Sequence, residues 1–282
     1  MSKALSVTGA GDEDSQISQA PFLKFAGRKF IGLIEDLHGL GALLLITLAV
    51  GMTKFHTATA VVHPLIRKEI ARAGSRLLSM IAFLAVALGM VVIGQTVLIL
   101  SRFGAQSYLG TVMVTVVVRE LGPIFAALLV LARVGTANVI ELGTARALGE
   151  VEALEALGID PIHYLVVPRV VGLSLSILAL TIYFISFTLL SGYLFAFLEG
   201  VPLLPGDYFR QLADALLWQD FVLLALKTIS FGALIAIVTC YQGLAQRLRL
   251  EEVSRATTSA VAKCVIGVVL LDAIFIIIYM LV

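Results

Sequence analysis

The chain reads LLSMIAFLAVALGMVVIGQTVLIL from Leu77 to Leu100, a stretch of 24 residues without a charged side chain. An α-helix needs about 20 apolar residues to cross the roughly 30 Å hydrocarbon core of a bilayer. This stretch therefore predicts a membrane-spanning helix. Four further stretches share its length and its scarcity of charges, and they predict spans at 111–132, 170–198, 221–241 and 264–282.

The composition of the whole chain agrees with a lipid environment. Hydrophobic residues make up 60% of the 282 residues, charged residues only 14%, and the mean hydropathy is +1.03. Alternating ten-residue segments typical of membrane barrels are absent, so the backbone N–H and C=O groups must form their hydrogen bonds within helices. The predicted fold class is an all-α membrane protein. A net charge of +1 without a basic, aromatic-rich run excludes a nucleic-acid-binding protein.

Lysine and arginine in short loops mark the cytoplasmic side of a membrane protein. The chain before the first span and the connections 133–169 and 242–263 are rich in these residues, whereas 101–110 and 199–220 hold one arginine each. The predicted topology has a cytoplasmic N-terminus, five spans and an external C-terminus.

The N-terminal region contains an apolar run, Leu40–Met52, that is too short to cross a bilayer. Basic residues flank it on both sides, so we predict an in-plane elbow at about 22–62, interfacial or re-entrant. Residues 1–20 are polar and lack the pattern of a signal peptide. We expect them to form a disordered, uncleaved tail before a permease domain at 21–282.

Four charged residues fall at membrane depth, where they usually face a cavity or a partner. They are Arg119, Glu120, Lys227 and Asp272. Two interpretations remain open: an ion-paired structural lock, or a site for the polar head of an amphiphile. Either carboxylate could balance Arg119. Pro123 follows the Arg-Glu pair and predicts a kink in the second span.

The connection after the second span contains an amphipathic pattern. Leu148, Val151, Leu154 and Leu157 recur at helical spacing, with glutamates mostly on other faces, and Gly158 with Pro161 supplies a stop signal. Such a helix could dock on a cytoplasmic motor subunit or lie on the lipid surface. Its acidic character disfavours the anionic inner leaflet.

Motifs for chemistry are not evident in the chain. It has no G-x-x-x-x-G-K-[ST] loop, no Ser-His-Asp set and no zinc motif. We therefore expect no enzyme activity and no cofactor in this chain, and a separate subunit to bind ATP and Mg if nucleotide drives transport. Cys240 and Cys264 are expected to be packing residues.

Two parts of the sequence resemble the MlaE/YrbE family, the permeases of MCE-type ABC transporters. The first begins VVVRELGPIF at Val116 and continues through ELGTARALGEVEALEALGIDP from Glu141. The second is CYQGL at Cys240 followed by SRATTSAV at Ser254. The resemblance implies an in-plane N-terminal helix, five transmembrane helices and a cytoplasmic coupling helix over 141–157.

The resemblance also implies partners, cargo and sites. It implies a homodimer in the bacterial inner membrane, docked on two ABC ATPase subunits beneath a periplasmic MCE ring, that moves phospholipid or a related hydrophobic molecule between inner and outer membranes. The four intramembrane charges match the family's charged positions. The implied coupling residues are Glu141, Arg146, Leu148, Glu150, Val151, Leu154 and Leu157.

Two other functions are compatible with parts of the sequence. An ion-coupled secondary transporter of an amphiphilic substrate would also place charges at membrane depth, but it typically shows two similar halves, and none is seen. A membrane scaffold would need no intramembrane ions, and four are present.

Overall fold

The computed structural model describes residues 59–105, 108–198, 204–244 and 252–281, and five positions between 41 and 47. The regular elements in these residues are all helical, which confirms the predicted fold class. Five helices are long and apolar enough to cross a membrane, and they are named spans 1 to 5 in chain order: His63–Leu100, Leu109–Ala147, Ile162–Leu198, Trp218–Leu244 and Val253–Leu281. The predicted tail and most of the predicted elbow lie outside the described residues.

The helices extend past the apolar stretches that predict them. Span 2 continues to Ala147 and span 5 already begins at Val253. The sequence prediction ended each span near its first charges, Arg133 and Lys263. Charges end an apolar run but do not end a helix whose other faces remain packed, and Val139 in the added part of span 2 is fully buried.

The first three spans are not uniform α-helices. Span 1 lies within the helices Thr59–Ala73, Leu78–Leu88 and Gly94–Arg102 and a short 3₁₀ turn at Ser75–Leu77. Span 2 contains Leu109–Met113, Gly122–Val130 and Thr136–Ala147, and span 3 consists chiefly of Val167–Leu198. Wider π-helical segments lie at Gly89–Ile93, Val114–Leu121, Leu131–Gly135 and Ile162–Val166. Spans 4 and 5 are continuous α-helices.

Span 3 packs against spans 1, 2 and 4 and occupies the centre of the bundle. Small residues let the helix backbones approach closely, as is usual in membranes. Gly232 of span 4 lies against the backbone of Ser174, where an added Cβ would collide. Gly89 of span 1 lies against Thr188 and Ser191 in the same way.

Two short helices connect the spans. Glu150–Ala156 lies between spans 2 and 3, and Pro205–Ala215 lies between spans 3 and 4. The second was expected to be a loop. Its Tyr208 is buried and donates a hydrogen bond to the Leu189 carbonyl at 3.1 Å. Burial raises the pKa of Tyr208, so the hydroxyl keeps the proton that it donates.

Candidate functional site

Five charged side chains from three spans meet inside the bundle, in what we call the intramembrane cluster. Its members are Arg119, Glu120, Asp220, Lys227 and Asp272. Spans 2, 4 and 5 supply them. The four charges singled out in the sequence thus lie together, and a fifth, which the sequence analysis placed in an external loop, joins them.

Lys227 is the centre of the intramembrane cluster and is fully buried. Its Nζ donates hydrogen bonds to Glu120 Oε2 at 2.9 Å and to the backbone carbonyl of Arg119 at 2.8 Å. Asp272 Oδ1 lies 2.7 Å from the same nitrogen. An ammonium group has three N–H donors. Three oxygens from two other spans therefore surround it, and the nitrogen joins spans 2, 4 and 5.

Pro123 explains why a backbone carbonyl is available to Lys227. In a regular α-helix the carbonyl of Arg119 would accept a hydrogen bond from the backbone N–H four residues later. That residue is Pro123, which has no N–H. The π-helical segment Val114–Leu121 comes immediately before Gly122 and Pro123, and such segments are frequent at functional sites. The freed carbonyl accepts from Lys227 instead.

Arg119 pairs with Asp220, so the expectation that Glu120 or Asp272 would balance it is wrong. The Nε atom of Arg119 lies 2.9 Å from Asp220 Oδ1. Its Nη2 donates a hydrogen bond to Oδ2 at 3.3 Å. The Asp220 side chain is only 4% exposed. The two cations of the cluster therefore have separate carboxylate partners.

Helix geometry explains why Asp220 reaches the cluster. Span 4 begins at Trp218, so Asp220 lies in the first turn of the helix and not in the preceding loop. Its Oδ2 accepts a hydrogen bond from the Leu217 backbone N–H at 3.0 Å, as an acidic residue often does at a helix start. Asp220 precedes Lys227 by two helical turns, which places both on one face. That spacing was visible in the sequence.

Tyr279 is a second residue that sequence analysis missed. The centroid of its ring lies 5.2 Å from Cζ of Arg119 and 5.9 Å from Nζ of Lys227. An aromatic face at this distance attracts a cation. Tyr279 follows Asp272 by two helical turns of span 5, so the same spacing rule could have found it. The ring adjoins both cations.

The members of the intramembrane cluster differ in exposure. Lys227 has a side-chain exposure of 0% and Asp272 of 11%. Arg119 is 24% exposed and Glu120 is 27% exposed. A ligand that approaches the cluster therefore meets two adjacent side chains of opposite charge.

A second group of ion pairs lies at the other end of the bundle, and we call it the Glu141 network. Arg72 of span 1 lies 2.7 Å from Glu141 of span 2. Arg169 of span 3 lies 3.4 Å from Glu141 and 4.0 Å from the buried Glu69. Sequence analysis assigned Glu141 to the coupling helix. In the structure its carboxylate joins the ends of three spans.

The predicted coupling segment is divided into two helices. Span 2 ends at Ala147, and Gly149 adopts a left-handed conformation with φ of 79° before Glu150–Ala156 begins. Gly158 has φ of 75°, and its N–H donates to the Glu155 carbonyl at 2.9 Å. Both turns favour glycine. The segment 141–157, expected to be a single helix, thus consists of the end of span 2 and a separate short helix, with a turn at Gly149 between them.

Burial in the coupling segment differs from the predicted stripe. Val151 is 5% exposed and fixes the short helix against the bundle, and Leu154 is half-buried. Leu148 is 64% exposed and Leu157 75% exposed. The two ends of the stripe are therefore open to a partner.

A bundle of five apolar spans with paired charges at membrane depth belongs to the class of multi-pass membrane proteins. Residues 66–278 match the family described as Permease MlaE. The chain belongs to this family, which confirms the resemblance drawn from the sequence.

Several curated proteins resemble the chain. A probable ABC transporter permease protein of Rickettsia conorii is 32% identical over 74% of this chain and 82% of its own length. The intermembrane phospholipid transport system permease protein MlaE of Haemophilus influenzae is 28% identical over 75% of this chain and 81% of its own length. Protein TRIGALACTOSYLDIACYLGLYCEROL 1, chloroplastic, of Arabidopsis thaliana is 27% identical over 92% of this chain and 71% of its own length. These likenesses give no support to an ion-coupled secondary transporter.

Proposed function

We propose that the chain is the membrane-spanning subunit of an ABC transporter that moves phospholipid, or a related hydrophobic molecule, between the inner and outer membranes. The observation that carries this proposal is a neutralising set of ion pairs at membrane depth in a member of the MlaE permease family. The name of the Haemophilus influenzae relative supports phospholipid as cargo.

The intramembrane cluster is suited to a lipid head group because its charges are already paired. Isolated charges in a low-dielectric setting are costly, so a permease needs counter-charges that persist when the cargo leaves. Lys227 with Glu120 and Asp272, and Arg119 with Asp220, provide them. Head groups meet Arg119 and Glu120, while the tails lie against apolar side chains of the spans.

The proposal places the energy source in another chain. Two ABC ATPase subunits, which bind ATP and Mg, dock on a homodimer of this permease, and a periplasmic MCE ring receives the lipid. The N-terminus is cytoplasmic and the C-terminus periplasmic in a bacterial inner membrane. Relatives named as ABC transporter permeases support the ATPase partner.

The ATPase docks on the exposed ends of the coupling segment. Leu148 and Leu157 are large apolar residues that are open to a partner, whereas Val151 is buried against the bundle. Ile159, 40% exposed, extends the same surface. We assign ATPase contact to these exposed residues first and to the half-buried Leu154 second.

Leu157→Asp tests the docking surface. The residue is exposed, so the permease should insert normally, but docking would bury an unpaired carboxylate at a cost of about 3 kcal/mol, roughly a 100-fold loss in affinity. The ATPase subunit should no longer copurify, and ATP-dependent lipid movement from proteoliposomes should stop. Copurification and lipid movement are the measurements.

Leu204→Asp is the matched control, because Leu204 is 69% exposed and precedes the helix Pro205–Ala215 at the other end of the bundle. It should leave copurification unchanged. Normal copurification and transport by Leu157→Asp would remove the coupling segment as the docking element. Wild-type complexes that hydrolyse ATP without moving lipid would contradict the proposed function itself.

A further inference from the structure

The ligand-accessible edge of the intramembrane cluster has two opposite charges side by side. Arg119 and Glu120 are neighbours in the chain, and they are the most exposed members of the cluster at 24% and 27%. The other cation, Lys227, is fully buried and cannot meet a ligand. A bound group therefore encounters one guanidinium and one carboxylate.

Both of these side chains are held in place by other members of the cluster. Asp220 engages the Nε and Nη2 edge of Arg119. A guanidinium presents five N–H donors in a plane, so the Nη1 edge remains for a phosphate oxygen, the acceptor that arginine matches well. Glu120 binds Lys227 through Oε2 and also interacts with Asp272; it is the most exposed carboxylate of the cluster, and therefore the one that a cationic group would reach.

The count of charges in the cluster favours a cation beside Glu120. The cluster contains three carboxyl groups and two cations, so it has no surplus positive charge. Arg119 is balanced by Asp220, whereas Lys227 alone faces both Glu120 and Asp272. An anionic head group would add an unbalanced negative charge at membrane depth, where charge is expensive. A zwitterionic head group adds none.

We propose that this edge of the cluster selects phospholipids with a zwitterionic head group, with the phosphate on Arg119 and the amine on Glu120. The inference rests on the proposed function and specifies its substrate class. The ring of Tyr279, 5.2 Å from Cζ of Arg119, supports the guanidinium in the orientation that the phosphate requires. Tyr279 is a positioning residue in this arrangement.

The test compares two lipids in one preparation. Proteoliposomes that contain the complete transporter complex receive acyl-labelled phosphatidylethanolamine and phosphatidylglycerol with identical tails, and the ATP-dependent movement of each is measured. The wild type should prefer phosphatidylethanolamine by about fivefold, the ratio expected for one partly exposed charge pair. Equal movement of both lipids, or faster movement of phosphatidylglycerol, would overturn the inference.

Glu120→Gln identifies the residue responsible. The amide has nearly the shape of the carboxylate but no charge, so the ratio of phosphatidylethanolamine to phosphatidylglycerol movement should fall toward one, whatever the total rate. Asp214→Asn is the matched control, because Asp214 is exposed on the helix Pro205–Ala215 and is not a member of the cluster. It should keep the wild-type ratio.

The outcomes separate the inference from the proposed function. If neither lipid moves in an ATP-dependent manner, the proposed function fails. If both move and Glu120→Gln keeps the full wild-type preference, the assignment of the amine to Glu120 is wrong. If Glu120→Gln is poorly inserted in the membrane, the wild-type ratio still decides whether the site is selective.

Discussion

At the scale of single residues, the charges of the protein are organised by which helix face they share. Asp220 and Lys227 lie on one face of span 4, and Asp272 and Tyr279 lie on one face of span 5. Their partners, Arg119 and Glu120, are adjacent in span 2. The apolar run of span 4 begins only at residue 221, so the run alone predicts a span that excludes Asp220.

The Arg119–Asp220 pair predicts a specific rescue. Arg119→Gln leaves a carboxylate that is 4% exposed without its cation, at a cost of about 3 to 5 kcal/mol. The level of the protein in membranes and its thermal midpoint should fall. Adding Asp220→Asn should restore both, because the amide keeps an acceptor for the Leu217 N–H and the unpaired carboxylate at position 220 is gone.

The double change Arg119→Gln with Glu120→Gln is the control for this rescue. It removes a carboxylate from the cluster but leaves Asp220 unpaired, so it should be at least as unstable as Arg119→Gln alone. Immunoblots of membranes and thermal unfolding of the purified proteins measure the difference. Rescue by the Glu120 change and not by the Asp220 change would contradict the pairing.

At the scale of elements, the short helix Glu150–Ala156 is positioned by the turns at its two ends. Gly149 and Gly158 have positive φ. After Gly158, the Ile159 N–H donates to the Leu154 carbonyl at 3.0 Å, which completes a glycine-terminated helix end. Asp160 then accepts the Ile162 N–H at 3.0 Å as span 3 begins. The direction of the coupling segment is therefore fixed by backbone geometry.

Gly149→Ala should weaken coupling while the permease remains in the membrane. A Cβ in the left-handed region costs about 1 to 2 kcal/mol, and space is not limiting because nothing lies within 4 Å of the added atom. The turn should shift toward ordinary φ and redirect the short helix. Less ATPase subunit should copurify, and ATP hydrolysis by the complex should fall.

Gly104→Ala is matched to this change. Gly104 has φ of 65° and open space around it, but it lies after span 1, far from the coupling segment in the chain. The same strain there should leave ATPase copurification intact. Equal loss in both variants would show that strain alone, and not the direction of the short helix, is responsible.

At the scale of the whole molecule, span 3 holds the bundle together. Its first turns pair with the Glu141 network through Arg169, its middle lies against spans 1 and 4, and its end receives the Tyr208 hydrogen bond at the Leu189 carbonyl. The intramembrane cluster contains no residue of span 3. Span 3 therefore positions spans 2 and 4, which carry most of the cluster.

Gly232→Ala should loosen the contact between spans 3 and 4. The added Cβ would meet Ser174 backbone atoms that cannot move aside, and overpacking of this kind costs about 1 to 3 kcal/mol. We expect a thermal midpoint lower by several degrees and reduced lipid movement. Thermal unfolding in detergent and the proteoliposome assay measure the two effects.

Gly267→Ala provides the comparison, because the three atoms nearest to its added Cβ all belong to the Leu234 side chain, the nearest at 3.1 Å. Such atoms can rotate away, so the loss of stability should be much smaller. A thermal midpoint for Gly232→Ala equal to that of Gly267→Ala would mean that the close approach to Ser174 is unimportant.

The sequence by itself determined the all-α class, the five spans, the four intramembrane charges and the family. These features depend on local properties: the length of an apolar run, a charge within it, and a motif. The tertiary structure alone decided that Arg119 pairs with Asp220, that Glu141 joins Arg72 and Arg169, and that Leu148 and Leu157 are the exposed ends of the coupling stripe. Each of these depends on which helices are neighbours, because ion pairing and burial arise between spans that lie far apart in the chain.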